Sequence, residues 1–182
     1  SRLQANESTV SHARPEAGPI VYLASVGSDR SAAREDLKST LQRLGCEVLP
    51  DRPLPIDQDE YVEVITGMLQ RSAIAVHLVG ARGGFVPDGD SAQPEEVLQC
   101  RIAAKVAQSH RLERLIWLPE GTKSLRPAQS EFIRCLQEDA QTQQGADLIV
   151  GPLESLKEAM EGAIRDQLRP MLAAAASTPG KL

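Results

Sequence analysis

From residue 19 to about residue 168, short apolar runs alternate with stretches whose apolar residues recur every three or four positions. That is the pattern of buried strands alternating with amphipathic helices. Ile20-Val21-Tyr22-Leu23-Ala24-Ser25-Val26 reads as a first strand, followed by the polar turn Gly27-Ser28-Asp29-Arg30. Leu37, Leu41 and Leu44 then predict one buried helical stripe, with Gly45 as the residue just past the helix end. Glu47-Val48-Leu49 is a short second strand that stops at a proline-rich loop, Pro50-Asp51-Arg52-Pro53-Leu54-Pro55. Asp57-Gln58-Asp59-Glu60 has the spacing of a helix cap with Asp at the cap position. The helix it opens buries Tyr61, Val64, Ile65, Met68 and Leu69.

The second half repeats the pattern. Ala73-Ile74-Ala75-Val76-His77-Leu78-Val79 is a continuous apolar run, short and β-branched enough to predict a central strand. A glycine-rich loop from Gly80 to Gln93 leads to a helix that Pro94 starts, with Leu98, Ile102 and Val106 on its core face. Leu115-Ile116-Trp117-Leu118 predicts a fourth strand, stopped by Pro119. A helix from about Pro127 carries Phe132, Ile133 and Leu136. Leu148-Ile149-Val150 predicts a fifth strand, and Leu153, Leu156, Met160, Ala163 and Ile164 mark the last helix. Five strands alternating with five helices predict an α/β fold, a parallel sheet covered on both faces by right-handed crossovers. The expected form is flavodoxin-like, strand order 2-1-3-4-5, with functional groups on the loops after the strands' carboxyl ends. Residues 1–18 are polar and aperiodic and read as a disordered leader; residues 169–182 read as a frayed helix end and linker, with further domains expected beyond it.

Composition narrows the function. Among 182 residues, 41% are hydrophobic, but only two Phe, two Tyr and one Trp are present. An aliphatic core of this kind suits a parallel sheet covered by Leu- and Ala-rich helices. The net charge of −5 lacks the basic footprint that a phosphate backbone requires, so nucleic-acid binding is not expected. Cys46, Cys100 and Cys135 form no CxxC pair, and none of His12, His77 and His110 sits at metal-ligand spacing to a Cys. Neither a disulfide framework nor a zinc site is expected, and reduced thiols point to a cytoplasmic protein. No apolar stretch approaches the roughly 20 residues of a bilayer span. No membrane role and no resident cofactor are expected.

Several five-stranded α/β chemistries are excluded by their residues. A phosphoacceptor receiver needs an Asp ending strand three and a Lys ending strand five; here the strands end Leu78-Val79-Gly80 and Val150-Gly151. Gly27-Ser28-Asp29 matches neither a P-loop nor a dinucleotide fingerprint. Ser25 lies between Ala24 and Val26, so there is no nucleophile elbow.

Three segments in order resemble the bacterial Toll/interleukin-1 receptor (TIR) domain. Val21-Tyr22-Leu23-Ala24 with Ser28-Asp29 resembles its first strand and loop. Leu49-Pro50-Asp51-Arg52-Pro53-Leu54-Pro55 resembles its second strand and BB loop. His77-Leu78-Val79-Gly80 with Gly84-Phe85-Val86-Pro87-Asp88-Gly89 resembles its third strand and the loop feeding the third helix. The resemblance covers residues 19 to 168. It implies a signalling or defence module that self-associates through homotypic TIR–TIR contacts at the BB loop. It also implies NAD glycohydrolase or cyclase activity, with NAD as substrate and one Glu near the start of the third helix as the catalytic group. A carboxylate suits that chemistry, because loss of nicotinamide leaves an oxocarbenium-like ribose that an anion stabilises.

The family pattern places Glu directly before Leu-Gln, whereas this chain reads Pro94-Glu95-Glu96-Val97-Leu98-Gln99. Val97 therefore occupies the family position, and a one-residue shift turns a helical side chain by about 100°. Glu96 is the first candidate for the catalytic group and Glu95 the second; both also suit a helix N-terminus simply as anions. Ser25, Ser28, Asp29, Arg52 and Phe85 are candidates to bind the nucleotide, although the polar ones are equally ordinary turn residues. His77, on a strand buried on both faces, reads as a hydrogen-bonded core residue. Three functions follow: a TIR NAD glycohydrolase, a non-catalytic TIR scaffold assembling through its BB loop, and a nucleoside-type transferase that also uses one Glu.

Overall fold

The structure, a computed structural model, describes residues 18–139 and 144–176. Residues 1–17 of the expected leader and 177–182 of the expected tail lie outside the described residues. Strands β1 (Ile20–Leu23), β2 (Glu47–Leu49), β3 (Ile74–Leu78), β4 (Glu113–Trp117) and β5 (Ala146–Ile149) form one sheet in the order β2-β1-β3-β4-β5. Every pairing is parallel, with Val21 opposite both Val48 and Ile74, and His77 opposite Ile116. The α/β architecture and the 2-1-3-4-5 order are those the hydrophobic pattern predicts.

Helices α1 (Ser31–Arg43), α2 (Gln58–Gln70), α3 (Glu95–Ala107), α4 (Pro127–Glu138) and α5 (Leu153–Ala176) cover both faces. The two-residue period of each strand sorts its side chains between them. Val21, Leu23, Ile74, Val76, Leu78 and Leu115 pack with Leu37 and Leu41 of α1 and with Leu156, Met160 and Ile164 of α5. On the opposite face Tyr22, Leu49 and Ala75 meet α2 and α3, and Val79, Ile116 and Leu118 meet α3 and α4. Almost all these side chains are fully buried, which is why the strands read as unbroken apolar runs.

Several details depart from the sequence reading. Leu44 is 43% exposed, because α1 ends at Arg43 and the chain turns away at Gly45, which has φ +83°. Val150 lies past the end of β5 and is also exposed. The last helix continues to Ala176, through Pro170, where a frayed end is expected after residue 168. His77 is buried as expected, but neither ring nitrogen has a hydrogen-bond partner. Burial and the nearby Arg114 charge push its pKa down to about 3, so it stays neutral.

Among the described residues, no helix is long and apolar enough to cross a membrane. Nor is any group of three or more His, Cys, Asp or Glu placed to hold a metal ion. Cys46, Cys100 and Cys135 are free thiols.

The topology places the functional loops. From β1 the chain crosses to β2 on one side, and from β3 it crosses to β4 on the other. The loops leaving these two adjacent strands therefore diverge and open a crevice at the carboxyl edge of the sheet. One wall is tied down by the α2 cap, where Asp57 accepts from the Glu60 amide at 3.0 Å. Replacing Asp57 by Ala should cost about 1 kcal/mol of stability in chemical denaturation, the usual worth of an N-cap. An unchanged midpoint would show that the cap is redundant with the bonds between the chain at residues 56–58 and Asp88.

Candidate active site

Helix α3 begins at the crevice, and its first turn is held by the glycine loop. The Glu95 amide donates to the Phe85 carbonyl at 2.8 Å and the Glu96 amide to the Gly83 carbonyl at 3.1 Å. Two of the amides that every helix leaves unpaired at its start are satisfied in this way. The loop can run this close only because Gly83 and Gly84 adopt φ of +75° and +83°. A Cβ on Gly84 would run into the Glu95 carboxyl. The loop is held from the other side by Arg126, whose Nη1 donates to the carbonyls of Arg82 and Gly84. Ser124 Oγ donates to the Ala81 carbonyl at 2.6 Å.

The adjacent carboxylates Glu95 and Glu96 are both almost wholly buried, yet they face different surroundings. Glu96 accepts from the Gly27 amide at 2.9 Å, the Gly80 amide at 2.8 Å and the Gln129 side-chain amide at 3.0 Å. Burial raises its pKa, and the bonds from Gly27, Gly80 and Gln129 oppose the rise. Glu96 thus fastens the loop after β1, the loop after β3 and α4 to the start of α3. It is not among the residues lining the crevice.

Glu95 lines it. One cavity of about 470 Å³ is lined by Ser25, Arg34, Lys38, the 50–54 loop, Phe85 and Glu95. A second of about 340 Å³ is lined by Val26 to Ser28, Arg82, Gly84, Phe85, Glu95 and Arg126. Phe85 and Glu95 belong to both and stand where the two meet. Glu95 Oε2 has no hydrogen-bond partner. Burial pushes the Glu95 pKa up to about 7; the Ser25 hydroxyl and the Phe85 backbone pull the other way, and the Glu96 carboxyl adds to the rise. A buried carboxyl with a free oxygen and a pKa near neutrality, set in a cleft, is how a functional acid looks.

Behind Glu95 lies a second buried amide. Gln99, fully buried one turn along α3, donates to the carbonyls of Glu95 and Ser25 at 3.0 and 2.9 Å. It accepts from the Tyr22 hydroxyl at 2.6 Å and the Ser25 amide at 2.8 Å. Both donors and both acceptor lone pairs of its amide are used, so the first turn of α3 is locked to the end of β1. Arg34 closes the same end from α1, donating to the carbonyls of Ala24 and Leu23 at 3.0 and 2.9 Å.

The residues singled out from sequence fall as follows. Ser25, Arg52 and Phe85 line the larger cavity with Glu95, and Ser28 lines the smaller. Phe85, 40% exposed, is steadied by an edge-on contact with Tyr61 at 5.6 Å between ring centres. Asp29 does not line either cavity; its carboxylate accepts from the Ala81 amide at 2.7 Å and ties the first loop to the third-strand loop. Val97, at the position the TIR pattern assigns to Glu, is fully buried among Cys100, Phe132 and Ile133. The order expected for the two glutamates is reversed in placement: Glu95 opens on the cleft and Glu96 is bonded beneath it.

Arg34, Lys38, Arg82, Arg126, Gln99 and Gln129 were not foreseen as site residues. Arg34 and Lys38 did carry a signal. They flank Leu37 on the buried stripe of α1, where a cation is out of place unless it serves a site. Arg82, Arg126 and Gln129 come from loop and helix ends, whose approach depends on tertiary packing.

At this point the molecule is defined as a flavodoxin-like α/β domain with a carboxyl-bearing cleft at its sheet edge. No protein-family model matches the chain, and no curated protein matches it. Among solved structures it is similar to a CMP N-glycosidase, BcmB, of Clostridium botulinum, at 14% identity and a TM-score of 0.48. That match covers 78% of this chain and 97% of the other.

Two outcomes distinguish the glutamates. An acid with a higher pKa folded than unfolded binds more protons when folded, so its contribution to stability is lost as pH rises from about 4.5 towards 7. Glu95→Gln removes this loss. The variant should match the parent near pH 4.5 and be more stable at pH 8 by on the order of 2 kcal/mol, after allowance for solvent screening. Equal stability at both pH values would show that Glu95 is not held in an unfavourable setting. Glu96→Ala strands two backbone amides and a buried amide side chain, and should cost about 2–4 kcal/mol at neutral pH in denaturant titration. A loss under about 0.5 kcal/mol would mean that the three donors find other partners.

Proposed function

We propose that this chain is a TIR-type domain that cleaves the nicotinamide–ribose bond of NAD, with Glu95 as the catalytic carboxylate. The observation that carries the reading is the free, buried Glu95 oxygen at the junction of the two cavities. The surroundings suit a dinucleotide. Arg34, Lys38 and Arg52 offer positive charge to a diphosphate on one side of Glu95, and Phe85 offers a ring face or edge to a base. Arg82 and Arg126 line the opposite side.

The chemistry asks little of the protein beyond placement. The C1′–N bond breaks, its electron pair leaves with the nicotinamide nitrogen, and the pyridinium becomes a neutral leaving group. The ribose is left as an oxocarbenium ion, which the ionised Glu95 stabilises across its face. Water then adds its oxygen to C1′ and gives its proton to the carboxylate, yielding ADP-ribose and nicotinamide. A carboxylate that must be ionised and titrates near 7 should give activity that rises with pH through that region. The cationic substrate would move the midpoint downward once bound.

The scaffold reading is favoured by a separate observation. The loop after β2 projects from the molecule, with Arg52 and Pro53 exposed and Ile56 68% exposed beside it. Homotypic association through this loop is compatible with catalysis, and assembly would bring copies together at the mouth of the larger cavity that residues 50–54 line.

The test is NAD consumption followed by chromatography at high protein concentration with a crowding agent. The parent should release nicotinamide, Glu95→Gln should lose at least about a hundredfold, and Arg52→Ala should lose less. Turnover retained in Glu95→Gln would remove Glu95 from the mechanism. No turnover in the parent under any assembly condition, with concentration-dependent association abolished by Arg52→Ala, would select the scaffold.

A further inference from the structure

A separate cavity, of about 250 Å³, lies between α3 and α4 over the far end of β4, away from the cleft. It is lined by Cys100, Arg101, Ala104, Arg114, Glu131, Phe132 and Cys135. Arg114 is the unusual member. It points from the middle strands of the sheet into the α3–α4 layer and is only 3% exposed. Its Nη1 makes one long bond to the Gln144 carbonyl at 3.3 Å, and its Nε has no partner. Among the described residues no carboxylate pairs with it.

Among the described residues that line the cavity or touch the guanidinium, none supplies a counter-charge. The Cys100 thiol lies beside the guanidinium, but burial raises its pKa by more than Arg114 lowers it, so it stays a thiol. His77 is neutral. Glu131, at the exposed edge of the lining, is engaged by Arg134 through two bonds of 3.0 and 2.6 Å and accepts from the Cys135 thiol at 3.6 Å. Arg101 adds a second cation at the rim. A buried guanidinium without an anion is unfavourable by several kcal/mol, and proteins rarely keep one unpaired.

We propose that this cavity is a binding site for a small organic carboxylate whose anionic end pairs with Arg114 and whose apolar body rests against Phe132, Ala104 and the two thiols. The size fits. An apolar cavity of about 150 Å³ accepts benzene in the best-studied case, so about 250 Å³ accepts a ring bearing a carboxylate. Phosphate esters fit less well, because most of the lining is apolar and only one buried cation faces it. The site shares α3 with Glu95 but none of its lining residues with the cleft. It stands independently of the NAD reading.

Titration calorimetry with benzoate, and with benzamide as its neutral counterpart, tests the proposal on the full chain. Benzoate should bind one to one, and benzamide about tenfold more weakly or worse, the discrimination expected of a charge-assisted pair. Ala104→Leu fills the cavity from its half-buried rim without touching Arg114 and should abolish benzoate binding while leaving the melting temperature close to the parent's. Arg114→Met should lose at least about tenfold in benzoate affinity and nothing in benzamide affinity. If that variant does not fold, the Ala104→Leu result decides. Arg52→Ala, in the cleft, should leave benzoate affinity unchanged. No benzoate binding, equal binding of the two probes, or binding that survives Ala104→Leu would each overturn the proposal.

Discussion

The carboxylate of Glu96 is the point on which the upper edge of this molecule depends. Parallel sheets of this order open a crevice because two adjacent strands send their chains to opposite sides. An open crevice must then be kept in shape by something other than the sheet. Here one buried carboxylate accepts the Gly27 amide from the first loop, the Gly80 amide from the third-strand loop and the Gln129 amide from α4. Three segments that the topology drives apart are gathered on the first turn of α3. Charge-assisted bonds in a water-poor setting are the strong kind, and the helix N-terminus favours the anion further.

With Glu96 committed to this task, its neighbour is left over. Consecutive helical side chains diverge by about 100°, so fixing Glu96 beneath the loops turns Glu95 out over the sheet edge. Gln99 holds the same turn from below, and the glycine loop passes above too closely for any side chain on Gly84. The result is a carboxyl that is buried, incompletely bonded and raised towards neutrality, between two cavities with basic rims. Two identical side chains, adjacent in sequence, thereby do different work because their surroundings differ.

The fold was legible because the inner strands β1, β3 and β4 are buried almost throughout and the helices carry an apolar stripe. Leu37 and Leu41, Phe132 and Leu136, and Leu156 and Met160 all point where their spacing requires. Errors fell at ends, where one residue of register decides exposure, as at Leu44 and Val150. The cleft was legible as a location and as a set of loops, since Ser25, Arg52 and Phe85 do line it. The division of labour between Glu95 and Glu96 was not legible. It depends on where Gly27, Gly80 and Gln129 arrive, and these lie 69, 16 and 33 residues from Glu96 in the chain. That Arg114 has no carboxylate partner among the described residues was equally hidden, because a charged residue at the start of an apolar run reads as the strand's solvent side until its neighbours are seen.

The central claim is that Glu95 is the free carboxyl and Glu96 the bonded one. The most direct measurement is an NMR titration of the side-chain carboxyl carbons, with Glu95→Gln used to assign the Glu95 signal. This signal should titrate near pH 7, well above the ordinary glutamate range. A Glu95 midpoint close to 4.5 would mean that its carboxyl is solvated or well bonded, and would contradict the account.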